Sequence, residues 1–327
     1  MDQASGAPVP LTERILTRLP GPRLAWVLIW SAWFGLTLVP LFAYGFYPQA
    51  GGDIDAEGAL LFSTLFVYSN ILSIWGIRRI QVAVSGLREN LVALDAGRED
   101  AFSAIGRTWG PVIISAVISL TFMAEEIFGT PSVVDAVATL SFLVGILPIA
   151  TMLWVYGAVL WELNRLGTRE LRFAPFEEDR SLGLRPFGRL AFQAFGVFVA
   201  AFFPLSVADL NEPKDIVFNV VIYSVILGLL FLSVARLREQ LVRARSAHMR
   251  WARKLYGEAF RSATAGGTGQ IMREHAPELQ VAAEAERAAA AIQTWPFDAS
   301  AFRAIGAVMT SVITAMIVRL VLSRVGL

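Results

Sequence analysis

Apolar and polar residues alternate along this chain in long blocks. The block that sets the pattern runs from Asp215 to Arg261. Its first part, Ile216 to Ala235, carries no charge, and its second, Arg236 to Lys254, is strongly basic. About twenty residues at a helical rise of ~1.5 Å each cover ~30 Å, the thickness of a bilayer's hydrocarbon core. The first part therefore predicts a membrane-spanning helix. The second fixes its inner end, because Arg and Lys are retained on the cytoplasmic side.

The same block plan recurs, and predicts spans at about 24–44, 59–77, 111–128, 133–161 and 190–208 besides 216–235. Trp26, Trp30 and Trp33 near the start of the first span, and Tyr44 and Tyr47 near its end, suit the aromatic belts of a bilayer. Pro40 predicts a kink in the outer part of the first span; Pro148 falls inside the fourth and Pro204 near the outer end of the fifth. The first apolar run is too long for a cleavable signal and reads as a retained span. A last run, about 302–322, reads as a seventh crossing. Ile305 to Val318 is uncharged, and Arg319 can snorkel to the surface. A segment lying in the interface is the alternative, because a crossing places Arg319 and Arg324 outside.

The expected fold is an all-α, polytopic integral membrane helical bundle of six to seven transmembrane helices. Three helical hairpins and a C-terminal helix make up the membrane part. A cytoplasmic segment 1–23 precedes the six-span domain 24–235, and a cytoplasmic helical arm 236–297 follows it. Charge placement supports this plan. The outer turns and their margins hold Asp53, Asp55, Glu57, Glu125, Glu126, Asp135, Asp209, Glu212 and Asp215, with Lys214 as their one base. The N-terminus is then cytoplasmic, and the expected location is a plasma (inner) membrane.

Shorter periodicities predict the extensions. Leu11, Ile15, Leu16 and Leu19 form the apolar side of a basic interfacial helix ended by Pro20-Gly21-Pro22. Ile80, Val84, Leu87, Leu91 and Leu94 recur at steps of 3 or 4 and continue the second span as an amphipathic helix. The arm reads as two helices, 236–263 and 277–295, joined by the breaker Ala265 to Gln270. Leu237, Leu241, Ala244, His248, Trp251 and Leu255 form a heptad-like seam that can meet Ala282, Ala285 and Ala289.

Composition narrows the chemistry. A chain of 327 residues that is 55% hydrophobic, with mean hydropathy +0.57, belongs to the membrane class. It contains no Cys, which removes thiol catalysis and zinc–thiolate sites. Its two histidines, His248 and His275, both fall in the arm and do not form a metal pair. No H-E-x-x-H, G-x-S-x-G or G-x-G-x-x-G motif occurs, and Ala265 to Gln270 lacks the Lys-Ser/Thr of a phosphate loop. The chain therefore leans away from an enzyme and implies no cofactor and no metal. No nucleic-acid module accompanies the basic arm.

The candidate site residues are polar groups at membrane depth. Asn70, Gln193 and Asn219 lie in predicted spans. Hydrogen bonds between helices explain them first, and an ion path is the sharper alternative. Glu125 and Glu126 sit where the third span leaves the hydrocarbon and could form a cation-attracting mouth. A solvated acidic turn is the plainer reading. In the last run, Thr310 and Thr314 lie beside a small-residue stripe that could close a homo-oligomer or line a narrow pore. Packing on the chain's own bundle explains it equally well. Arg236, Arg238, Arg243 and Arg245 are placed to contact anionic lipid headgroups. The expected partners are thus the bilayer, those headgroups and further copies of the chain. Two functions fit: an ion or small-solute channel or transporter with acidic outer loops, or a membrane-embedded sensor or scaffold acting through its arm.

Overall fold

Helices form where the apolar blocks and their amphipathic extensions predict them. The computed structural model describes residues 8–43, 56–94, 101–122, 133–169, 171–173, 181–208, 213–265, 276–297 and 299–325. Every regular element among them is helical. In chain order these are α1 (Leu11–Arg18), α2 (Arg23–Ala43), α3 (Ala56–Gly86), α4 (Arg88–Ala93), a 3₁₀ turn (Ser103–Gly106), α5 (Trp109–Phe122), α6 (Val133–Gly145), α7 (Leu147–Leu166), α8 (Arg185–Ala208), α9 (Pro213–Ala265), α10 (Ala276–Ala290) and α11 (Ala299–Val325).

Among the described residues, three segments are long and apolar enough to cross a membrane: Arg185–Ser206, Val217–Thr264 and Ser300–Val318. A fourth joins them if Thr139–Gly145 and Leu147–Leu166 count as one crossing, bent by 45°. Arg23–Leu38 and Trp109–Thr121 are shorter apolar helices. The apolar outer faces fit a lipid surround: Val217, Phe218, Val221, Val225 and Leu229 of α9 are all exposed.

The long helices alternate in direction. Phe34 of α2 meets Phe66 of α3, and Arg23 lies near Arg78, so these two run antiparallel. Ser69 and Gly76 of α3 meet Ala201 and Val197 of α8 in the same antiparallel sense. Ser206 near the end of α8 meets the Tyr223 hydroxyl near the start of α9 at 3.1 Å. α7 and α9 run parallel, with Tyr156 donating to the Ile226 carbonyl and Gly167 lying against Arg236 and Leu237. Glycine decides the last approach. A Cβ at Gly167 would lie 2.6 Å from the Arg236 Cβ and 2.8 Å from the Leu237 nitrogen.

The largest core lies where α3, α7, α8 and α9 carry their basic ends. Ile77, Ile80 and Val84 of α3 meet Val155, Val159 and Leu163 of α7 there, with Leu237 and Leu241 of α9. The segment before α8 drives a wedge into it. Leu182 and Leu184 are fully buried, and Leu182 and Gly183 take positive φ of 55° and 87°. A branched side chain in that region is strained, and burial of Leu182 holds it there. The residues just before this wedge, 174–180, lie outside the described residues.

Several expectations are corrected. The span drawn at 133–161 is two helices broken at Ile146, and the second runs on to Leu166. The second span's extension ends at Gly86, and a separate short helix carries Leu91. α1 is docked on the bundle, a contact its amphipathic pattern does not specify. It packs on α2, α3 and α7 with Thr12, Glu13 and Leu16 buried, and Thr12 bonds Thr151 at 2.9 Å. The arm's first helix is the unbroken continuation of the sixth apolar run, and α10 ends at Ala290, short of Trp295.

The seam between α9 and α10 also shifts. Leu237 and Leu241 are buried in the bundle core; further along, Ala252, Ala259 and Ala263 are buried and Trp251 is exposed. A straight helix rotates a heptad stripe by ~20° per heptad, which carries Trp251 off the contact face. Ala282 and Ala289 of α10 then meet alanines, so the two backbones come close. Arg253–Glu286 at 3.6 Å and Arg245 on the Ala290 carbonyl at 3.0 Å align the pair antiparallel. After α10 the chain returns to the bundle at an aromatic cluster. Trp295, Phe297 and Phe302 pack around Phe231, and Arg238 lies 4.7 Å over the Trp295 ring.

Candidate functional site: an interrupted helix

The break between α6 and α7 begins with one residue type. Pro148 occupies the first turn of α7 and has no N–H, so the Val144 carbonyl loses its donor four residues on. Successive carbonyls of a helix point ~100° apart, so donors for three in a row must come from different sides. Three helices supply them. Ser115 of α5 donates to the Leu143 carbonyl at 2.6 Å, Trp30 of α2 to Val144 at 3.0 Å, and Asn70 of α3 to Gly145 at 3.3 Å. Backbone bonds from Ile146 to Phe142 and from Ala150 to Ile146 hold the two halves together.

An aromatic plug fills the apolar side of the break. Phe34 is fully buried, and its ring centroid lies 5.8 Å from those of both Phe66 and Phe142. Gly145 makes room for it: a Cβ there would fall 2.0 Å from Phe34 Cδ2. α2 and α3 close together one residue further on, where a Cβ on Gly35 would fall 2.5 Å from Val67 Cγ2.

The same helices carry buried oxygens with no hydrogen-bond partner. These are Ser31 of α2, Ser63, Asn70 Oδ1 and Ser73 of α3, Ser119 of α5 and Thr139 of α6. Ser31 lies one turn before Phe34, and Ser119 one turn after Ser115. Ser63, Asn70 and Ser73 share a stripe of α3 with Phe66, at helical steps of 3 or 4. An unsatisfied buried polar atom is costly, and these six uncharged oxygens lie on the four helices α2, α3, α5 and α6 that meet at the break. Oxygen ligands without carboxylates match a small monovalent cation, water or an uncharged polar solute better than a divalent ion. No group of three His, Asp or Glu side chains suited to a metal occurs among the described residues.

The expected site residues part company here. Asn70 is fully buried in the centre of the site. Asn219 is buried near the start of α9, and Gln193 is half-buried in α8. Thr310 and Thr314 are exposed on α11, the least enclosed of the long helices. Glu125 and Glu126 lie outside the described residues, as do Asp53, Asp55, Asp209 and Glu212. Of the four arginines, Arg238 and Arg245 hold the arm together. Arg236 is exposed, and Arg243 pairs with Glu239 one turn away at 3.3 Å. Trp30 and Ser115 were legible only as a belt aromatic and an ordinary span serine. Pro148 was the one signal that could have drawn attention to them.

A buried charge pair lies near the N-terminal end of the bundle. Glu13 of α1 bonds Arg23 of α2. Burial pushes the Glu13 carboxyl above the usual carboxylate range, against the opposing pull of Arg23 and Arg78.

No family model, curated protein or solved structure matches the chain.

Proposed function

We propose that this chain is a multi-pass membrane protein of six crossings and a seventh, and that it moves an ion or small polar solute past the interrupted helix. The observation that carries the reading is the break at Ile146, served by side-chain donors from three helices, with orphaned buried oxygens on those same helices and on α6. Helices interrupted at membrane depth are tolerated where other groups serve the freed backbone, and in transporters they hold substrate and ions. The charge-free lining favours a monovalent cation or a neutral solute. Phe34, Phe66 and Phe142 close the path in this conformation. With its N-terminus inside, the protein keeps its arm on the cytoplasmic face of a plasma membrane, where Arg236 and Arg243 face anionic headgroups. Thr310 and Thr314 face outward, toward lipid or a second copy.

The test is flux through purified protein in liposomes, run with several monovalent cations, protons and small neutral solutes. Flux that falls tenfold or more in Asn70→Ala, with the protein still folded, supports the reading. Absence of flux for every solute removes it. A second reading, a sensor or scaffold acting through the arm, draws on the continuity of α9 from its apolar half into its basic half. Loss of a bound partner on removing residues 276–297, in a protein without flux, selects that alternative.

A further inference from the structure

A cavity of about 500 Å³ opens between α5, the 3₁₀ turn and α7. Its floor is apolar: Ile114, Leu153 and the face of Trp154. Trp154 is fixed from three sides. Its indole N–H donates to the Ala104 carbonyl at 2.8 Å, Trp109 lies edge-on at 4.9 Å, and Gly110 sits against the ring. Gly157 supplies the hollow, because a Cβ built there meets nothing within 4 Å. The rim is basic. Arg107 is exposed, Arg165 is half-exposed, and the buried Glu162 turns toward Arg165 at 3.7 Å. With that carboxylate matched by Arg165, the rim keeps the charge of Arg107 as a net +1.

We infer that this groove is a binding site for an anionic phospholipid, its phosphate between Arg107 and Arg165 and the upper part of an acyl chain on Ile114, Leu153 and Gly157. The volume is that of a ligand pocket rather than a crevice. An apolar trough ending in guanidinium groups matches a molecule that is greasy at one end and negatively charged at the other. Arginine favours such an end because its planar donors match phosphate oxygens. The exposed Trp161, further along the wall, suits the headgroup level, where indoles collect. This inference rests on the membrane reading and is independent of transport.

The test measures lipid retained by the purified full chain in detergent, by native mass spectrometry, with phosphatidylglycerol, phosphatidylcholine and glycerol phosphate as separate additions. Phosphatidylglycerol is expected to be retained at least fivefold better than phosphatidylcholine, with no retention of glycerol phosphate. Gly157→Leu fills the hollow without a clash and abolishes the preference at an unchanged melting temperature. Arg107→Ala and Arg165→Ala each lower retention about fivefold, the scale of one basic residue at a membrane surface. Arg261→Ala, exposed far along the arm, leaves it unchanged. Equal retention of the two lipids, wild-type retention by Gly157→Leu, or binding of glycerol phosphate alone overturns the proposal. No flux is measured, so a failure here leaves the transport reading standing, and a failure of transport leaves the groove standing.

Discussion

At Asn70 an amide does two things at once. Its Nδ2 serves the Gly145 carbonyl at 3.3 Å, and its Oδ1 is buried without a partner. The first is structural. A hydrogen bond between membrane helices contributes ~0.6 kcal/mol on average, so Asn70→Ala should lower the melting temperature slightly. The second is the part a solute can use, and the same variant should reduce flux at least tenfold. Unchanged flux per folded molecule would make Asn70 a helix tie alone. Glu13 gives a pH test of the fold. Its folded value lies above the ordinary 4.5, so the folded state binds this proton more tightly than the unfolded chain. The stability this contributes is fully present below pH 4.5 and is lost as pH rises through the raised value. Thermal melts across that window should show stability falling with pH, and Glu13→Gln should flatten the slope. The sequence shows Glu13 only as an acid in a basic helix. Its burial depends on α1 docking onto three other helices, and an amphipathic pattern does not say what covers its apolar face.

Among the elements, the bent pair α6–α7 was the hardest to read. Pro148 is visible in the sequence, yet the apolar run continues through it without a polar break. The donors that make the break tolerable come from Trp30, Asn70 and Ser115, distant in sequence and brought together only by packing. Pro148→Ala returns an N–H to the Val144 carbonyl and should straighten the pair. Spin labels at Leu140→Cys and Trp161→Cys sit on arms of ~9 and ~22 Å from the break, so opening the 45° bend lengthens their separation by ~2 Å. Flux should fall with it, and an unchanged distance would show that packing alone sets the bend. The contact of α3 with α8 is a second test. A Cβ at Gly76 would sit 1.9 Å from Val197 Cγ1, so Gly76→Ala should destabilise by ~1–3 kcal/mol. Val197→Ala should restore most of that loss in a double-mutant cycle. The periodicity of α3 was readable from the start, but which glycine meets which neighbour depends on helix rotation, which one sequence does not fix.

For the whole molecule, the block pattern anticipated the long helices, their alternating directions and the folding of α10 back onto α9. The same logic puts Arg79 and Trp251 on one side of the membrane and Asp53 on the other. The chain has no native cysteine, so single replacements report cleanly. Trp251→Cys and Arg79→Cys should react with an impermeant maleimide only after permeabilisation, and Asp53→Cys should react in intact cells. Labelling of Trp251→Cys in intact cells would invert the topology. What the pattern did not reach was the register of the arm, because a heptad read from the sequence drifts off the face of a straight helix. The length of α9 has a mechanical consequence. Its 53 residues make a rod of ~80 Å; under the proposed topology the hydrocarbon holds ~30 Å of it and ~45 Å, from Arg236 on, extends on the cytoplasmic side. A rod pivoting at the bilayer surface works as a lever: a tilt of about 5° among the buried helices swings the far tip by ~4 Å.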